Sequence, residues 1–161
     1  MKKMVILSKN CSDTFRIGKL IGNYLTNNDA VLLSGDLGSG KTVLVKGIAK
    51  SLGIKEEITS PTFDILKCYK KNSSISLCHI DAYRLKSGDD IGLEDIINSN
   101  KNIVVIEWPN FIKKAIHKPC LEIELKYTKK NVNFRQITIN IPDIYKKIGD
   151  LFNEKILFDF R

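Results

Sequence analysis

The sequence predicts an α/β fold, three layers with a mixed β-sheet at the centre, and three observations point to it. Short apolar runs rich in β-branched residues alternate with segments of helical period. One run, "AVLL" at 30–33, leads through "GDLGSGKT" at 35–42 into the helical segment "VLVKGIAKSLG". Another, "NIVVIEW", sets four apolar β-formers side by side, as expected of a strand buried on both faces. Strand, glycine-rich loop, helix and buried strand in that order describe a P-loop NTPase-like domain.

Taken in order, "KKMVIL" reads as a first strand, followed by a helix capped by Ser12 or Asp13 with Ile17, Leu20, Ile21 and Tyr24 facing inward. "AVLLS" is the next strand. The helix over 43–52 turns Val45, Ile48, Ala49 and Leu52 to the core, and Gly53 ends it. "TFDILKCYKKNSSISLCHIDAY" reads as a hairpin with its polar turn at Lys70 to Ser74. "GDDIGLEDIINS" is helical, and "NIVVIEW" is the buried strand. "LEIELKYT" and "FRQITINI" alternate as half-exposed strands do, and Pro142 opens a last helix from Asp143 to about Ile156.

Composition narrows the class. A length of 161 residues with 43% hydrophobic content fits one domain, residues 1–161, with a real core. No apolar run approaches the roughly 20 residues that span a bilayer, and the apolar stretch after the basic start is only "MVIL". The expectation is a cytoplasmic protein with no membrane partner. Four cysteines without C-x-x-C spacing suggest neither zinc nor a redox motif, and Cys78 reads as a small core residue. The net charge of +8 comes from 22 lysines against four arginines in scattered positions, which describes a solvated lysine-rich surface better than a base-reading face.

The chemistry gathers at 35–42. The spacing is G-x-x-x-x-G-K-S/T, and each fixed position has a physical task. Gly35 and Gly40 permit backbone angles that turn successive N–H groups onto one anion. Lys41 reaches the outer phosphates, the Thr42 hydroxyl ligates Mg²⁺, and the following helix adds its positive end. The nucleotide-binding set is therefore Gly35, Asp36, Leu37, Gly38, Ser39, Gly40, Lys41, Thr42 and Val43. Two acids end apolar strands, Asp81 in "SLCHID" and Glu107 in "NIVVIE". Ligands in α/β folds lie at the carboxyl ends of strands, so either acid can hold Mg²⁺ through water or orient an attacking water. The candidate catalytic residues are Lys41, Asp81 and Glu107, and the candidate metal ligands Thr42 and Glu107. His79 reads as a strand histidine with a satisfied hydrogen bond, and His117 as a surface residue. In "TSPTF" at 59–63, Pro61 makes its predecessor extended and Thr59, Ser60 and Thr62 display hydroxyls suited to sensing a γ-phosphate, as a switch does.

The blocks "GDLGSGKT", "TSPTF", "HIDAYRL" at 79–85 and "IEWPN" at 106–110, in this order, resemble the TsaE family, small bacterial ATPases of tRNA threonylcarbamoyladenosine synthesis. The likeness runs from about residue 10 to the strand containing Arg135. Ala82 stands where the family usually has leucine, and Asn110 where it has an acidic or amide residue; neither is a proposed ligand. The resemblance implies ATP and ADP as nucleotides, Thr42 and Glu107 near the magnesium, Asp81 in a hydrolytic or metal-linked role, and Trp108 beside the nucleotide. It also implies TsaD-like and TsaB-like partners, with tRNA reached through them. A small-molecule kinase is the main alternative, but it needs clamping arginines, and only Arg84 and Arg135 are candidates. A GTP-driven switch is a third; "SNKN" at 99–102 lacks the aspartate of N-K-x-D.

Overall fold

The computed structural model describes residues 1–85, 92–129 and 131–150. In chain order the elements are β1 (Lys2–Ser8), α1 (Cys11–Gly22), β2 (Ala30–Gly35), α2 (Lys41–Ser51), β3 (Leu66–Lys70) and β4 (Ser76–Asp81), then α3 (Leu93–Asn98), β5 (Asn102–Glu107), β6 (Leu121–Tyr127) and β7 (Arg135–Ile141). The strands form one sheet in the order β1-β7-β6-β2-β5-β4-β3. Strand β2 is parallel to β5 and β6, and β4 is parallel to β5, while the remaining pairs are antiparallel. The sheet is mixed, as the sequence predicts, with its parallel strands in the centre.

Two apolar clusters flank the sheet. The larger joins Ile17 and Ile21 of α1 and Leu44, Val45 and Ile48 of α2 to Val31, Leu33, Ile103, Val105 and the inner residues of β6 and β7. The smaller joins Leu93 and Ile97 of α3 to Leu32, Ile80, Val104 and Ile106 on the other face. The central strands are thus buried on both sides, and their continuous apolar runs follow from that. Helices α1 and α2 cross with their backbones in contact. A Cβ on Gly47 would lie 2.1 Å from the Phe15 carbonyl oxygen, and one on Gly18 would lie 2.2 Å from that of Leu44.

Several expectations shift locally. Helix α1 is capped by Asn10, whose side chain accepts from the Asp13 N–H at 2.9 Å, and not by Ser12 or Asp13. The Asp13 carboxylate instead accepts from the Lys9 N–H, and Ser8 ties the strand end to Asn10 O and the Thr14 hydroxyl, so the first turn is anchored one step earlier. Tyr24 lies past the helix end and is exposed. Helix α2 begins at Lys41, two residues earlier than its apolar periodicity indicates, because Gly40 in a left-handed conformation serves as the cap. Cys68 and Cys78 are direct partners across the β3–β4 hairpin and are joined by a disulfide, so Cys78 is buried but is not a free core thiol. The helical stretch expected over 88–99 is α3 from Leu93, and residues 88–91 lie outside the described residues. After Pro142 the chain makes a 3₁₀ turn over Asp143–Tyr145 and is helical over 146–150; the expected continuation to Ile156 lies outside the described residues. Among the described residues, no helix is long and apolar enough to cross a membrane.

Candidate functional site

The loop between β2 and α2 takes three positive φ values, 131° at Gly35, 72° at Gly38 and 104° at Gly40. Side chains rarely adopt such angles, and at Gly35 a Cβ would also fall 2.1 Å from the Leu125 carbonyl oxygen. The loop curls over the start of α2, whose first N–H groups have no partner within the helix. Lys41 is 5% exposed, and its ammonium donates to the carbonyls of Gly35 and Asp36, 2.9 Å each. It also sits 4.2 Å from the centroid of the Trp108 ring. Burial pulls the Lys41 amine below its ordinary value, while Glu107, Asp81 and Asp36 act against that shift.

Sheet register brings the two acids together. Asp81 ends β4, Glu107 ends β5, and the parallel pairing sets them directly opposite each other. Both are nearly buried, on the face that α2 covers. The Thr42 hydroxyl donates to Glu107 Oε1 at 3.1 Å, and His79 Nε2 lies 2.9 Å from the same oxygen. Two strand positions before Asp81, His79 shares its face and reaches Glu107 diagonally across the ladder. Its Nδ1 is buried without a partner among the described residues. The Asp81 carboxylate accepts from the Thr62 hydroxyl at 2.6 Å and from the Tyr83 N–H at 3.0 Å, and Ser60 and Thr62 share a further bond of 2.7 Å. "TSPTF" is therefore attached to the second acid.

A cleft of about 250 Å³ takes in Leu37, Gly38, Gly40, Lys41, Thr42, Val43, Ser60, Thr62, Asp81, Glu107 and Trp108. Trp108 follows β5 with φ 56°, and this left-handed turn swings its ring over Lys41 and to 5.1 Å from that of Tyr83. Gly35, Asp36 and Ser39 form the floor of the loop and do not line the cleft: the first two offer carbonyls to Lys41, and Ser39 is fully buried with its hydroxyl unpartnered. His117 is exposed and pairs with Glu94.

Close to this site, His79 and Tyr127 carry no functional role in the sequence reading, and Arg135 enters it only as a candidate clamp of the kinase alternative. His79 had a signal, the two-residue spacing to Asp81. Tyr127 and Arg135 are brought to the loop by the β6–β7 register, which local pattern does not reveal.

The chain is similar to proteins of one known family. The family model for "Threonylcarbamoyl adenosine biosynthesis protein TsaE" matches residues 8–137. The tRNA threonylcarbamoyladenosine biosynthesis protein TsaE of Rickettsia felis is 39% identical, over 95% of this chain and 92% of its own. That of Bacillus subtilis is 34% identical, over 78% and 79%. The crystal structure of Bacillus subtilis YdiB superposes with a TM-score of 0.77 at 27% identity, over 94% of this chain and 95% of that one. With a family model over most of its length and relatives above a third identical, the chain belongs to the TsaE family.

Proposed function

We propose that the chain binds and hydrolyses Mg-ATP in support of a TsaB/TsaD complex that makes threonylcarbamoyladenosine next to the tRNA anticodon. One observation carries the reading: Lys41, Thr42, Asp81 and Glu107, from three separate stretches of sequence, meet in one cleft at the carboxyl ends of parallel strands. The names of the relatives support the pathway.

The residues fit a magnesium ion of the kind that accompanies a nucleotide. Such an ion keeps several waters and takes only one or two protein ligands beside the phosphates. Thr42 Oγ1 and Glu107 supply that set, and no cluster of three or more acidic, histidine or cysteine ligands is found among the described residues or required. When bound, the ion neutralises charge on the β- and γ-phosphates. Lys41 leaves its two carbonyls for phosphate oxygens. Glu107 Oε1 is held by Thr42 and His79, which would fix the carboxylate in place to hold the ion. Asp81, beside it and tied to Thr62, orients the attacking water and passes the presence of the γ-phosphate to the "TSPTF" loop. The Trp108 ring shields the cleft from solvent.

An ATPase with no acceptor of its own does work only through states that bind a partner differently. Slow turnover alone, faster turnover with TsaB and TsaD, and association favoured by ATP are the expected results. Reconstitution tests this directly. If cognate TsaB and TsaD with tRNA carry out repeated modification without this protein, or with its Lys41→Ala variant as well as with the parent, the function is not this one.

A further inference from the structure

We propose that Tyr127 and Arg135 are positioning residues that hold the phosphate-binding loop in its binding shape from outside, by capturing its carbonyl groups. This rests on the nucleotide reading above and adds to it how the cradle is kept open. Tyr127 ends β6, Arg135 begins β7, and the two are direct partners in the antiparallel ladder. The Arg135 guanidinium stacks on the Tyr127 ring at 4.1 Å. From this pair the Tyr127 hydroxyl donates to the Leu37 carbonyl at 3.0 Å, and Arg135 Nε–H donates to the Ser39 carbonyl at 3.1 Å. Arg135 is itself fixed by bonds to the Val132 and Phe134 carbonyls.

Peptide geometry gives these two contacts their meaning. In a planar trans peptide the C=O of one residue and the N–H of the next point in opposite directions, and no peptide bond among the described residues is cis. Holding the Leu37 carbonyl toward Tyr127 turns the Gly38 N–H the other way. Holding the Ser39 carbonyl toward Arg135 does the same for the Gly40 N–H. Both N–H groups then point away from the Tyr127–Arg135 pair, and neither donates to another group among the described residues. A cradle of inward N–H groups repels itself and gains from an external clamp. Gly38 lies close under the clamp: its φ is 72°, and a Cβ there would stand a tight 3.0 Å from the Tyr127 hydroxyl oxygen.

The test uses the full chain with Tyr127→Phe, which removes one hydroxyl and keeps the stacked ring, and Arg135→Gln, which removes the guanidinium. Mg-ADP affinity is measured by calorimetry beside the melting temperature of the nucleotide-free protein. Losing a neutral hydrogen bond predicts about a three- to tenfold weaker affinity for Tyr127→Phe, and losing a charged donor about tenfold or more for Arg135→Gln. The melting temperature of nucleotide-free Tyr127→Phe stays with that of the parent, because a merely structural contact would lower it first. If Arg135→Gln does not fold, Tyr127→Phe decides alone. Affinity within twofold of the parent in the folded variants, or a loss matched by a fall in nucleotide-free stability, overturns the proposal. A parent that fails to bind Mg-ADP at all overturns the nucleotide reading instead.

Discussion

Replacing Lys41 by alanine isolates the charge at the centre of the cleft. The ammonium makes two hydrogen bonds to carbonyls and rests on the Trp108 ring. Binding exchanges the carbonyls for phosphate oxygens, so the affinity reads a difference and not the full strength of the new bonds. A hydrogen bond with a charged partner contributes about 1.5–3 kcal/mol; the ammonium–carbonyl bonds, charged on one side only, sit at the low end of that range and ammonium–phosphate bonds, charged on both, at the high end. The exchange therefore retains roughly 1.5 kcal/mol, and each 1.36 kcal/mol is a factor of about ten. Lys41→Ala is expected to bind Mg-ADP about tenfold more weakly, and more weakly still for Mg-ATP. Calorimetry gives the constants. The fluorescence of Trp108, the chain's single tryptophan, gives a second signal, because the cation leaves its ring on binding. An affinity within twofold of the parent would refute the exchange and remove Lys41 from the phosphate site.

Other outcomes follow from the same geometry. Glu107→Gln and Asp81→Asn keep the fold but lower ATP turnover, since an amide neither accepts a proton nor holds magnesium as well; phosphate release equal to the parent in both would place the chemistry elsewhere. Because burial lowers the Lys41 amine from its ordinary 10.5, the cation is lost as pH rises through a lower value, and nucleotide affinity should begin to fall before pH 10.5. Binding in that range takes up a proton, seen as a dependence of the calorimetric heat on buffer; a heat independent of buffer throughout the fall would exclude Lys41 as its cause. Gly47→Ala drives a methyl group into the Phe15 carbonyl, at a cost of about 1–3 kcal/mol. A thermal melt unchanged from the parent would show that α1 and α2 do not touch so closely.

Much of this was legible in the residues because it is local. The phosphate loop is written in spacing, the inward face of α2 in the period of Val45, Ile48, Ala49 and Leu52, and the position of both acids in the ends of apolar runs. What local pattern cannot supply is register. The distance from Asp81 to Glu107, the reach of His79 and the Cys68–Cys78 bridge all depend on how β3, β4 and β5 align, and a slip of one residue would send each side chain to the other face. Asn10 was missed for a different reason. Asn10, Ser12 and Asp13 all suit a cap, and the choice among them falls to the contacts of Ser8 with Asn10 and Thr14.

The contact between the α1 and α2 backbones at Gly18 and Gly47 limits how this molecule can signal. A helix seated backbone to backbone on its neighbour has no side-chain cushion to absorb a slide or a roll, so α2 behaves as a fixed anvil under the phosphates. On the function proposed above, a difference between bound triphosphate and diphosphate would then be expressed on the opposite wall, where Thr62 rests against Asp81 through one hydroxyl-to-carboxylate bond. The cleft would then have one stiff jaw and one yielding jaw, the yielding one being the loop from Ser60 to Phe63, whose two end residues are exposed while Pro61 is buried and Thr62 half-buried.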